Sequence, residues 1–222
     1  MSELIIGEGD FRFRLVEGWP SIPDGIDHRA VAGIAVDSQD NVHLAVRTRP
    51  RNQVLVYSKS GEFLRSWGEG LLADAHGLTI VNDIAYLTDL ELHQVFVCTL
   101  GGEVLLRLGS GQASDTGYDP EVVENLTTIR RAAGPFNRPT RAMPASTGEI
   151  LVTDGYGNAR VHRFSAEGEL LQSWGEPGSA PGTVQSRARP VDRCERSGVH
   201  QRPREQPHPD LRGRWHPARG VA

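Results

Sequence analysis

The side chains able to do chemistry in this sequence are few, and they fall into three kinds. His76, in "DAHGLTI", is one of five histidines in the first 182 residues, with His28, His43, His93 and His162. A neutral imidazole ligates zinc, and it also serves as a satisfied hydrogen-bonding group in a core or turn. Tyr156, in "VTDGYGNARV", offers a phenol that can accept a proton or cover a turn. Arg47, Arg49 and Arg51, in "VRTRPRN", offer guanidinium groups that hold a carboxylate in two hydrogen bonds or simply make a solvated basic loop. Residue type leaves each of these alternatives open. No Ser-His-Asp grouping is visible, and "GEG" at 7–9 and "GSG" at 109–111 do not sit between a strand and a helix, which argues against phosphate cradling.

The elements that must position these groups are strands. Three segments carry the same succession of short apolar runs, polar turns and a glycine hairpin, the hairpins being "KSGEFLRSWG", "LGGEVLLRLG" and "AEGELLQSWG". Gly61, Gly102 and Gly168 mark the copies, and the wider second interval is filled by residues 110–135, which lack strand alternation and could hold a short helix around 122–131. The first copy reads as four strands, "GIAVD", "NVHLAVR", "QVLVYS" and "FLRSWG". Four strands per unit of about 40 residues is the signature of a β-propeller, whose blades bury their faces against one another. The fold class is therefore all-β, a propeller of about three blades. Residues 1–30 form an N-terminal segment with a strand near 11–16, residues 31–70 blade 1, 74–109 blade 2, 110–135 an inserted connector, and 136–182 blade 3. Cys98, in "QVFVCTL", reads as a strand residue, and with Cys194 as the only other cysteine no disulfide framework is implied.

Composition changes abruptly after Gly182. The last forty residues hold nine Arg against four acids, a net of +5, while the preceding residues hold 15 basic against 24 acidic side chains, a net of -9. Residues 183–222 contain no Phe, Tyr or Ile. Back-translated with permitted synonymous codons and read one base out of register, this tail yields a further strand, acidic turn and hairpin of the same repeat. It is expected to be an out-of-frame, disordered tail. A basic tail for nucleic acid is the alternative, disfavoured because its Arg residues alternate with Pro and acids and lack stacking partners apart from Trp215. No apolar run approaches a membrane span, and the N-terminus lacks the pattern of a signal peptide, so a cytoplasmic chain is expected. Open blade faces are expected to promote self-association.

"DAHGLTI", "LTDLELHQVF", "PFNRPT" and "VTDGYGNARVHRFS" together resemble the catalytic core of peptidyl-α-hydroxyglycine α-amidating lyase and its NHL-repeat relatives, over about residues 28–182. The resemblance implies a six-bladed propeller with a zinc ion on its axis, held by three histidines, that cleaves α-hydroxyglycine to an amide and glyoxylate. First strands of propeller blades line the channel, and aligning them puts Ala32, His76 and Pro139 in one register, with a histidine in that register in the out-of-frame reading. His76 is thereby implied as a zinc ligand, Tyr156 as the catalytic base and Arg47 as the active-site arginine, with Arg49 and Arg51 competing for that role. A phenol titrating near ~10 needs a nearby cation to act as a base at neutral pH. The backbone carbonyls of Ile34 and Leu78 match calcium ligands of the family, whose aspartate has no counterpart here. His28, His43, His93 and His162 are taken as structural. The sequence implies a fragment of a zinc lyase, inactive by itself, acting by resemblance on a small-molecule or peptide substrate; the alternative is a non-enzymatic NHL-repeat propeller that binds a peptide, protein or RNA.

Overall fold

A computed structural model describes residues 5–48, 51–123 and 125–178. Arg49 and the out-of-frame reading of 183–222 lie outside the described residues. Strands β1 (Ile5–Ile6) and β2 (Phe13–Arg14) form a small antiparallel hairpin. Three four-stranded meanders follow. The first contains β3 (Val31–Val36), β4 (Val42–Val46), β5 (Gln53–Tyr57) and β6 (Phe63–Trp67); the second β7 (Ala75–Val81), β8 (Ile84–Asp89), β9 (Gln94–Thr99) and β10 (Val104–Leu108); the third β11 (Arg141–Pro144), β12 (Ile150–Asp154), β13 (Arg160–Phe164) and β14 (Leu170–Trp174). Each strand pairs antiparallel with the next in sequence, as in the blades of a propeller. The protein is thus a partial β-propeller.

The blades stack through side chains that alternate along each strand. In β5, Val54 and Val56 join Phe96, Leu78 and Leu87 in the core between blades one and two. Leu55 and Tyr57, pointing the other way, pack with Trp19 and Ile26 of the N-terminal segment. Val95 and Val97 of β9 meet Phe136, Val152 and Phe164 of blade three. Strands buried on both faces read as unbroken apolar runs, which is why "QVLVY" and "QVFVC" lack polar alternation. The far face of blade three is different, with Met143 47% and Trp174 42% exposed.

One hairpin is built three times. The backbone amides of Ser58, Thr99 and Ser165 donate to the carbonyls of Glu62, Glu103 and Glu169, while Gly61, Gly102 and Gly168 adopt φ of 88°, 92° and 93°. A left-handed residue with no Cβ is required here for a second reason, close approach to the preceding unit. A Cβ on Gly102 would lie 2.9 Å from Trp67, and one on Gly168 3.0 Å from Leu106. The Gly61 position meets Trp19 instead, so the N-terminal segment supplies blade one with the surface that a preceding blade supplies to the others.

Two expectations differ from the structure in extent. The strand expected near 11–16 is only Phe13–Arg14 and finds its partner in Ile5–Ile6. The helix expected around 122–131 is a single 3-10 turn, Asn125–Thr128, because the amides of Arg130 and Arg131 donate to the Thr116 carbonyl rather than continuing a helix. Among the described residues no helix is long and apolar enough to cross a membrane. Cys98 is a buried, free strand residue.

The turn after β3 rests on a buried Asp37–His43 pair, Oδ2 to Nε2 3.1 Å. Burial works against the Asp37 carboxylate, but hydrogen bonds from Asn41, His43 and the amides of Asn41 and Gln39 hold its pKa down at about 2. Burial also pushes the His43 imidazole below its ordinary value, with Asp37 opposing. Both groups have lower pKa values folded than unfolded, so both stabilise the fold at neutral pH and both contributions are lost on acidification. The urea midpoint is expected to hold above pH ~6.5, to fall below it as unfolded His43 takes up protons, and to fall again from pH ~4 as Asp37 nears its folded pKa. Asp37→Asn should shrink the lower-pH step, the remainder coming from Asp27 and Asp83, whose carboxylates are also held low by Arg29 and by Ser38.

Candidate active-site end of the channel

In an antiparallel meander the connections between second and third strands emerge at the same end as the links between blades. Arg47 follows β4, His93 precedes β9 and Tyr156 follows β12, while Asp74 leads into β7 and Arg138 toward β11. All five are therefore brought to one end of the molecule by topology alone. The opposite end carries the glycine hairpins.

The inner strands come close enough for backbone contact. A Cβ on Gly33 would lie 2.7 Å from the Leu78 amide nitrogen and 2.9 Å from the His76 carbonyl oxygen. One on Gly77 would run into the Thr140 carbonyl oxygen and come within 3.1 Å of the Arg141 Cα. Consecutive first strands thus meet at glycine, on the levels of His76 and of Thr140.

His76 is half-buried, and its Nδ1 lies 3.0 Å from the Thr140 carbonyl oxygen. A carbonyl only accepts, so Nδ1 carries the proton and the lone pair is on Nε2. A ring whose one nitrogen donates to a backbone carbonyl while the other is available is the arrangement usual for a metal-bound histidine. The Thr88 hydroxyl donates to the same carbonyl at 3.2 Å and accepts from the Gly77 amide at 2.8 Å, fixing the position of that acceptor. Tyr156 packs edge-on against the His76 ring, centroids 5.1 Å apart and planes at 77°. Tyr156 is 40% exposed.

Arg47 donates its amide to the Ala30 carbonyl, and its Nη1 lies 3.5 Å from Asp74 Oδ1. Arg51 turns away to the exposed Glu69, 3.7 Å distant. Ile34 is 62% exposed in β3 and Leu78 1% exposed in β7. The two are on adjacent inner strands, since Gly33 abuts the Leu78 amide. Among the described residues no group of three or more His, Cys, Asp or Glu is gathered for a metal ion. His43 and His162 are buried against Asp37 and Asp154, and His93 Nδ1 accepts the Arg138 amide at 3.1 Å.

The connections are held by two buried carboxylates. Asp89 accepts from the amides of Ala73, Asp74, Glu91 and Leu92 at 2.8–3.0 Å. Asp154 accepts from the Asn137 amide and from Asn158 Nδ2, with His162 Nε2 at 3.3 Å. Asp74, Thr140 and Arg138 are site residues that reading the sequence missed. "ADAHGL" and "FNRPT" contain them, but nothing in residue type relates positions 64 residues apart.

No family model matches the chain. Among curated proteins, peptidyl-glycine α-amidating monooxygenase of Mus musculus is 30% identical over 78% of this chain and 19% of its own length. Peptidyl-α-hydroxyglycine α-amidating lyase 2 of Drosophila melanogaster is 26% identical over 73% of this chain and 42% of its own. NHL repeat-containing protein 3 of Homo sapiens is 26% identical over 76% of this chain and 48% of its own. The chain belongs to the amidating-lyase-like NHL-repeat family. It spans less than half the length of these family members. Within the family framework, the contact between His76 and Tyr156 joins two blades across 80 positions of sequence.

The close approach at Gly77 sets a test of how His76 is oriented. Gly77→Ala puts a methyl group against backbone that cannot yield locally, so β7 and β11 must separate, at an expected cost of about 2 kcal/mol. The separation also lengthens the His76–Thr140 bond. In a nitrogen-15 spectrum of the imidazole, the variant should lose the fixed Nδ1–H tautomer that the unaltered protein shows.

Proposed function

We propose that the chain carries part of an amidating-lyase site, in which His76 is a zinc ligand, Tyr156 the proton acceptor and Arg47 the carboxylate-binding residue. The observation that carries this reading is the His76–Tyr156 contact, a potential ligand and a phenol from different blades with ring centroids 5.1 Å apart. The tautomer of His76 suits a ligand, because its Nδ1 proton is engaged by Thr140 and Nε2 keeps the lone pair. One histidine is an incomplete set for a catalytic zinc, which ordinarily takes three protein ligands. The chain alone is therefore expected to bind zinc weakly and not to turn over. Calcium at the carbonyls of Ile34 and Leu78 belongs to the same proposal, and oxygen donors of this type suit that ion.

Zinc, when bound, would supply Lewis-acid stabilisation of developing negative charge on oxygen. The substrate class is an N-acyl-α-hydroxyglycine, peptide-linked or small. Tyr156 takes the hydroxyl proton through its Oη. The O–H electron pair becomes the carbonyl bond of glyoxylate, the C–N pair passes to nitrogen, and a proton delivered there completes the amide. Arg47 holds the substrate carboxylate.

Removing or adding one base near codon 182, with the downstream gene retained, is proposed to restore the further repeat read in the tail. The restored protein should bind zinc and release glyoxylate from an α-hydroxyglycine-terminated substrate. His76→Ala should lose the metal. Tyr156→Phe should keep the metal and lose turnover by about 100-fold or more, since it removes only the proton acceptor. Zinc bound equally well with and without His76 would refute the reading.

A further inference from the structure

We propose that Arg47 and Arg138 form a two-guanidinium subsite for a carboxylate, occupied at rest by the side chain of Asp74. Asp74 presents Oδ1 to Arg47 Nη1 at 3.5 Å and Oδ2 to Arg138 Nη2 at 3.9 Å. The two guanidinium groups are thus already spaced to take one carboxylate between them, an oxygen to each. Both contacts are longer than the roughly 2.8 Å of a charge-assisted hydrogen bond, so Asp74 is held loosely and can be replaced. The cluster has two positive charges and one negative, leaving a cation in excess for an incoming anion. It is also reachable, since the Arg47, Arg138 and Asp74 side chains are 39%, 24% and 18% exposed.

The backbone around this cluster is fixed while the Asp74 side chain is not. The Asp74 amide donates to buried Asp89, and its carbonyl accepts from Leu90. Release of the two arginines therefore needs only rotation of the Asp74 side chain. Arg138 adopts a left-handed φ of 62°, a conformation sparsely populated by non-glycine residues that persists where surroundings over-determine it. Here the Asn137 amide donates to Asp154 and the Arg138 amide to His93 Nδ1. The Arg138 guanidinium comes from the link before blade three and Arg47 from the loop after β4 of blade one, with Asp74 in the link between blades one and two, so the subsite gathers groups from the same end of the blades as His76 and Tyr156. The identity of its ligand, the carboxylate of an N-acylglycine-like molecule, rests on the lyase reading; the existence of the subsite does not.

The test titrates the full chain with benzoylglycine and with its neutral amide, following binding by nuclear magnetic resonance, with thermal unfolding of every variant as a check on folding. Benzoylglycine is expected to bind, and the amide about tenfold more weakly. Asp74→Asn should tighten benzoylglycine binding several-fold by removing the resident charge. Arg138→Gln should weaken it about tenfold, and Arg138→Lys, which keeps the charge but loses the fork, by an intermediate amount. Unchanged binding in both Arg138 variants with loss in Arg47→Gln would overturn the subsite and leave the lyase reading standing. Weaker binding in Asp74→Asn would also overturn it, because Asp74 would then be positioning the arginines rather than occupying their place. Dependence on Arg138 in a protein whose zinc binding ignores His76 would uphold the subsite and remove the lyase reading.

Discussion

Everything at the candidate-site end of this protein hangs on carboxylates buried where a second strand ends. Asp89 and Asp154 have no exposed surface, and each gathers donors from the link entering its own blade and from the loop leaving its second strand. A buried carboxylate without such donors is very costly, whereas one with three or four is a rigid anchor. Blade one has Val46 at the strand position of Asp89 and Asp154, paired with Gln53 as they are with Gln94 and Arg160. Its loop is tied instead by the Arg47 amide on Ala30 and by Asn52 on the Ala73 carbonyl. The anchor missing from blade one coincides with the blade that offers a cation to the site.

The same economy divides the histidines. His43 and His162 are wholly buried against carboxylates and serve the fold. His93 accepts a backbone amide, and burial together with the Arg138 charge depresses its pKa, which suits a neutral acceptor. His76 differs because its partner is a carbonyl, which dictates the tautomer and turns the remaining lone pair outward from that bond. Equal residue types thus acquire unlike roles from the kind of atom each one faces.

How much of this could be read beforehand follows from range. The blades were legible because their signals are local: apolar runs, turn glycines and a repeated hairpin whose geometry one short stretch specifies. The family resemblance put His76 and Tyr156 in one candidate site, but their ring contact could not be read from the sequence, since it depends on how β7 and β11 approach at Gly77. Asp74 and Arg138 were invisible for the same reason. Their pairing is across blades, and "ADAHGL" and "FNRPT" look like ordinary linker sequence. The expected helix failed on a tertiary effect, the capture of two amides by Thr116.

The interlocking of each hairpin glycine with an apolar side chain of the unit before it has a consequence for how the molecule comes apart. Gly102 meets Trp67 and Gly168 meets Leu106, so cohesion runs only between nearest neighbours, as in a short linear array. In such an array a member with two neighbours is held twice and an end member once. Among the described residues the middle blade is gripped from both sides, its Gly102 against Trp67 and its Leu106 against Gly168, so its separation breaks two of these contacts at once.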